Sequence, residues 1–171
     1  PTPGVPVCVD PLTITGRMPS DDTYIDAAKP TTVYGTNHRI SVQADAGATQ
    51  RGLLRFDLSD IPAGAIITGA DLYLYGTNQS TNQVIYVYRV TAPWSETTAT
   101  WQTWTTPGGD FDGSVAYASF IPDQTNCSAT LDLTNLVQQW VNGSQPNHGV
   151  LLYGTGANRL FTFASKENTA N

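Results

Sequence analysis

Acidic side chains are the first residues whose spacing suggests chemistry. Asp21, Asp22 and Asp26 stand within one short stretch, and Asp110 and Asp112 flank Phe111. Carboxylate oxygens are natural calcium ligands, but neither run has the acid, glycine and terminal glutamate positions of an EF-hand loop. Both runs read either as a calcium site or as solvated turns. Catalysis has less to draw on. His38 and His148 are far apart and form no metal-ligand or catalytic pattern. No serine lies in a Gly-x-Ser-x-Gly elbow. Glycoside hydrolysis needs two carboxyls facing each other across a cleft. Glu96 and Glu167 are the only glutamates, and both fall in segments that read as structural. The expectation is a protein that is not an enzyme and has no resident cofactor unless calcium binds.

Aromatic rings offer a second chemistry, stacking against sugars. Trp94, Trp101, Trp104, Trp140, Tyr73, Tyr75, Tyr86 and Tyr88 are available for it. Most of them alternate with aliphatic residues and so read as core. Trp104 and Tyr34 are expected to be exposed and are the candidate sugar-stacking residues. Arg51, Arg55 and Arg89 are expected to pair with Asp57, Asp71 or other sheet acids as structural ion pairs. Cys8 and Cys127 have no metal-ligand spacing. They read either as one disulfide or as two buried thiols. Asn78, Asn126 and Asn142 each open an Asn-x-Ser sequon and are candidate glycosylation sites.

These groups must be positioned by strands. In Arg51–Ala65, RGLLRFDLSDIPAGA, Leu54, Phe56 and Leu58 alternate with Arg55, Asp57 and Ser59. This period of two predicts a strand with one buried face, closed by the turn Ile61–Gly64. Further strands are expected at Leu12–Thr15, Ile40–Val42, Ala70–Tyr75, Val84–Val90, Val115–Ile121, Ala129–Leu133, Val150–Tyr153 and Leu160–Ala164. Val84–Val90 is apolar on both faces and is expected to lie between two layers. Pro107–Gly113 reads as a loop. Trp94–Trp104 is expected to plug one end of the core, with Ser95 capping a helical turn. Leu136, Val137, Trp140 and Val141 recur at helical spacing, with Gly143 as a stop. The fold class is therefore all-β, a two-sheet jelly-roll sandwich with one short helix.

The chain has 171 residues, 8 basic against 14 acidic, and a net charge of -6. Nucleic acid and anionic membranes demand clustered Lys and Arg, so neither is an expected partner. An acidic polysaccharide fits less well unless calcium bridges it. No apolar run reaches membrane-spanning length. The start at Pro1, without Met or signal peptide, reads as that of a mature, secreted protein. Residues 1–11 form a separate extended arm ahead of a domain at 12–171. Val5, Val7 and Val9 alternate within it, although Pro6 confines such a strand to an edge or bulge.

The stretches DDTYID (Asp21–Asp26), RGLLRFDLSDIPAGA, VYRVTAPWSETTATW (Val87–Trp101), LDLTNLVQQWVNG (Leu131–Gly143), PNHGVLLYG (Pro146–Gly154) and FASKE (Phe163–Glu167) follow one another in order. Together they resemble the DNRLRE-type domain, an extracellular jelly-roll family also grouped with carbohydrate-binding modules. The resemblance implies a cell-surface location, and some such domains bind acidic polysaccharide. Members of that family usually continue past FASKE into one more strand, and this sequence stops at Asn171. A missing last strand and an apolar arm together suggest donor-strand complementation, with Val5, Val7 and Val9 entering the sheet of the next copy. Head-to-tail repetition then builds a homopolymeric filament, and a Cys8–Cys127 bond would lock the arm within one subunit or across two. The arm folding back into its own domain is the intramolecular alternative, and a plain linker or a truncated end is the third. The expected function is a filament subunit, with a carbohydrate-binding module or adhesin as the alternative.

Overall fold

The computed structural model describes residues 14–78, 83–122, 128–156 and 159–168. Val5, Val7, Val9, Cys8, Cys127 and Asn126 lie outside them. The elements run β1 (Asp21–Asp26), β2 (Arg39–Gln43), β3 (Gln50–Arg55), β4 (Asp71–Leu74), β5 (Val84–Val90), β6 (Phe111–Phe120), β7 (Ala129–Asp132), α1 (Thr134–Val141), β8 (Val150–Thr155) and β9 (Leu160–Ala164). Among the described residues the fold is mostly β with one short helix, as the period-two patterns predict.

Hydrogen bonding links β6-β5-β8-β3-β2-β9 in one ladder, with β1 also on β3, while β4 pairs with β7. The join between β3 and β2 is a single pair, Gln43 opposite Gln50. The ladder therefore turns a corner there. Strands β6, β5, β8, β3 and β1 form one layer. Strands β2 and β9 start the second, and the Gly76–Phe163 bridge attaches β4 and β7 to it. Tyr75 C=O accepts from Ala164 N–H at 2.8 Å, extending that junction.

Between the layers lies the main core: Leu54, Ile85, Val87, Val150 and Leu152 against Ile40, Val42, Leu72, Leu74, Leu131, Phe161 and Phe163. Leu136 and Trp140 of α1 join it. Each large side chain so buried stabilises the fold by roughly 1.5–3 kcal/mol. Gly52 permits the close approach of the two layers, because a Cβ there would lie 2.6 Å from Ile40 Cγ2.

A second core sits on the far face of the first layer. Ile25, Leu53, Val90 and Leu151 are covered there by Trp94, Ala99 and Trp104. This changes several expectations. The stretch at 51–65 is a strand only to Arg55, and Leu53 and Leu54 are both buried, so β3 hides both faces. Phe56 and Leu58 pack at the margin of the main core. The tryptophan segment covers a sheet face instead of plugging an end. Ser95 does cap a turn there, its Oγ accepting from Thr97 N–H at 3.3 Å. Strand β5 matches its expected bounds, with Ile85 and Val87 enclosed in the main core and Val90 in the second, but Tyr86 and Tyr88 are half open. Strand β6 starts at Phe111, inside the expected loop, because Val90 pairs with Phe111. Ile14 and Thr15, expected in a first strand, are exposed and outside any strand.

Candidate functional site

The half of the first layer's outer face that the tryptophan segment leaves open is aromatic. Residues at i and i+2 of a strand share a face, so Tyr86 and Tyr88 project together from β5, with centroids 6.0 Å apart. Strand β8 sets Tyr153 opposite Tyr86. Tyr88 meets Tyr153 edge-on at 5.9 Å and Phe111 at 5.3 Å. All four rings are half-buried.

Arg51 of β3 lies in the middle of this cluster. Its guanidinium carbon is 4.7 Å from the Tyr153 ring centroid, 5.1 Å from Trp101 and 5.3 Å from Phe111. Nη1 donates to Gly108 C=O at 2.6 Å, while Nε is buried without an acceptor. No carboxylate pairs with Arg51 among the described residues. Ring faces therefore do most of the work of compensating its charge. Burial pushes its pKa down, and the Tyr153 hydroxyl works the other way. Gly108 makes the cage possible. Its φ is +97°, and a Cβ there would stand 2.8 Å from both Arg51 Nη1 and Trp101 Cζ2.

A shallow depression of about 500 Å³ adjoins the rings at Phe111, lined also by Thr91, Thr105, Thr106 and Asp110. Asp110 is fixed by N–H groups of Thr105 and Thr106, each donating at 2.9 Å. Burial raises its pKa, and these donors more than offset that, leaving it below the usual carboxylate range. Hydroxyls and a carboxylate thus adjoin, through Phe111, the ring cluster that encloses the guanidinium. That set can stack on an apolar sugar face and exchange hydrogen bonds with its hydroxyls.

The residues first singled out fare differently. Trp104 is buried, not exposed, because its loop folds over Ile25, Leu53 and Leu151. Tyr34 is half-buried, with its ring face taken by Tyr24 at 4.1 Å. Burial, first of all, raises the Tyr34 hydroxyl to about 12. Trp104 thus offers no open ring, and Tyr34 has one ring face already taken. Conversely, Tyr73 and Tyr75, read as core, are 62% and 60% exposed, because Leu72 and Leu74 take the inner face of β4.

The five aspartates do not converge. Asp21 pairs with Arg55 at 2.6 Å, and Asp112 with Arg89 at 3.3 Å. Asp26 accepts from Ala28 N–H at 2.8 Å and from Gln50 Nε2 at 3.0 Å. The acidic cluster that does form brings Asp22 together with Glu96 and Glu167, ligand atoms within 4.8 Å of one another. Lys166 lies among them, its ammonium bonded to Glu96 and to Ser20 C=O, the latter at 2.9 Å. A cation of the protein's own thus already sits among these carboxylates. Asp22 is buried, which pushes its pKa up to about 7; the Lys166 N–H opposes this and the Glu167 charge adds to it.

Two of the sequon asparagines, Asn78 and Asn142, are described residues. Asn78 is engaged in backbone pairing, donating to Leu160 C=O at 2.9 Å and accepting from Thr162 N–H at 2.8 Å. Asn142 is exposed, and its carbonyl accepts from the Ser144 hydroxyl at 2.8 Å. No described helix is long and apolar enough to cross a membrane.

The arginine cage escapes sequence reading because Arg51, Trp101, Phe111 and Tyr153 are scattered along the chain. The one available signal is Pro107-Gly108-Gly109 between the tryptophans and a strand. Residues 13–171 match the model of carbohydrate-binding module family 96. The chain belongs to that family of carbohydrate-binding modules. No curated protein matches it.

Proposed function

We propose that this member of carbohydrate-binding module family 96 is a secreted, non-catalytic domain that holds a polysaccharide on the open face of β5 and β8. Tyr86, Tyr88 and Tyr153 supply the stacking surface, Arg51 a fixed donor, and the Thr91–Asp110 depression the hydroxyl contacts. The observation that carries this reading is the guanidinium of Arg51 held among three rings with no carboxylate beside it. Affinity electrophoresis through gels containing single polysaccharides tests it. Retardation by at least one polymer, abolished in Tyr86→Ala/Tyr88→Ala, is expected. Equal mobility of the wild type in every gel would sink the reading.

A filament built by strand donation is the second reading, with other copies of the chain as partners. What favours it is β6, ten residues long at the end of the first layer and paired only with β5 among the described strands. Val115 is exposed on it, and Ile121 beyond its end. Such an edge can accept a strand patterned like Val5, Val7 and Val9. Electron microscopy of protein with and without residues 1–10 separates the readings. Fibres that vanish on deletion support donation, and a featureless field for the intact protein removes it.

A further inference from the structure

The second layer has an outer face of its own, and it is open along β4 and β7. Tyr73 stands on β4 and Tyr75 just past its end, where its C=O prolongs the pairing by accepting from Ala164 N–H; at i and i+2 of this extended run, both project from that face. They are the most exposed aromatic residues among those described, and neither makes a ring contact there. Strand β7 sets Thr130 beside Tyr73 and Asp132 beside Asp71. Thr130, Asp71 and Asp132 are all exposed.

Like charges directly opposite on neighbouring strands weaken a sheet. Asp132 has a structural use, its Oδ1 accepting from Thr134 N–H at 2.8 Å at the start of α1. Asp71 has no side-chain partner among the described residues, and fold stability gives no reason for it to face Asp132. Two acceptors at one end of a pair of open rings do suit a ligand that is apolar on one face and carries hydroxyl donors at its edge. They repel an anionic chain and favour a neutral one.

We propose that Tyr73 and Tyr75, with Asp71, Asp132 and Thr130, form a second saccharide-binding platform for a neutral polysaccharide chain. This rests on the glycan-binding reading above and extends it. The platform lies on the opposite layer from Arg51, so one molecule engages two chains at once and can crosslink them.

The test uses the intact protein and soluble hexasaccharides: cellohexaose, xylohexaose, mannohexaose and, as the anionic comparator, hexagalacturonate. Titration calorimetry counts sites. Two equivalents of one neutral hexasaccharide are expected. One should remain in Tyr73→Ser/Tyr75→Ser and the other in Tyr86→Ala/Tyr88→Ala. Asp71→Asn should weaken the second platform severalfold for neutral ligand. A single equivalent that Tyr73→Ser/Tyr75→Ser leaves unchanged overturns the platform while keeping the first site. A dimer in sedimentation that the same variant dissolves also overturns it, since a second copy is then the occupant. If no hexasaccharide binds the wild type, the reading of the first face falls as well. Because both tyrosines are exposed, circular dichroism is expected to be unchanged in the variant.

Discussion

The outer faces of the two layers carry tyrosines in the same strand pattern and treat them differently. On β5, Tyr86 and Tyr88 lean on each other, on Tyr153 and Phe111, and on a caged guanidinium. At β4 and just past its end, Tyr73 and Tyr75 stand free. The first face is ordered before any ligand arrives, so binding there loses little side-chain entropy. Its rings also belong to the fold, so a change in them costs stability as well as affinity. The second face separates the two quantities: a change there should alter binding and leave stability almost untouched.

The contrast can be broken hardest at Trp104. Trp104→Ala removes the cover from Ile25, Leu53 and Leu151, at a cost of about 3–5 kcal/mol. Thermal melts should show the loss, and the β5 face should lose its ligand, because the same segment carries Trp101 and Gly108. Gly108→Ala is the narrower version. It forces a Cβ against Arg51 and Trp101 at positive φ, with an expected loss of about 1–3 kcal/mol and of glycan retention together. Arg51→Met keeps much of the stem packing and removes the charge. About 1–2 kcal/mol of stability and roughly tenfold in affinity should go, read by denaturant titration and affinity gels. Tyr73→Ala should stay within about 0.5 kcal/mol of the wild type by the same titration.

A pH series sharpens the comparison from a third place, remote from both faces. Asp22 has its folded pKa raised above the value of a free carboxyl, from 3.8 to about 7. The folded state therefore holds the proton more tightly than the unfolded chain does. The stability this gives is complete below pH 3.8 and drains away as pH climbs through about 7. Asp22→Asn should flatten that decline in chemical denaturation between pH 4 and 7. An unchanged slope would show that Asp22 is not its source.

Why the sequence discloses some of this and hides the rest follows from what each pattern depends on. Ile85 and Val87 alternate with tyrosines, and both the strand and its inner face can be read from that. The same alternation occurs at Leu72 and Leu74, so Tyr73 and Tyr86 look alike. Only the assembly of layers decides which tyrosine is held and which is free. Strand β1 is hard to see because DDTYID is acidic, yet Asp22 and Asp26 are buried with donors supplied by Lys166, Ala28 and Gln50. Trp104 sits among threonines and reads as surface, because the apolar face it covers comes from β1, β3 and β8. The five aspartates cluster in sequence but are separated by partners that strand register brings from afar.

The contact between Lys166 and Asp22 bears on when this domain can finish folding. The Lys166 N–H donates to Asp22 Oδ2 across 144 positions of chain, and Glu96 joins from between. Contacts so distant in sequence can close only once nearly all of the described chain is available, and topologies of this kind reach the native state slowly. Strand β1 thus waits for the last segment before its buried carboxyl gains that donor. A nascent chain emerging in order stays incomplete until residues near 166 appear.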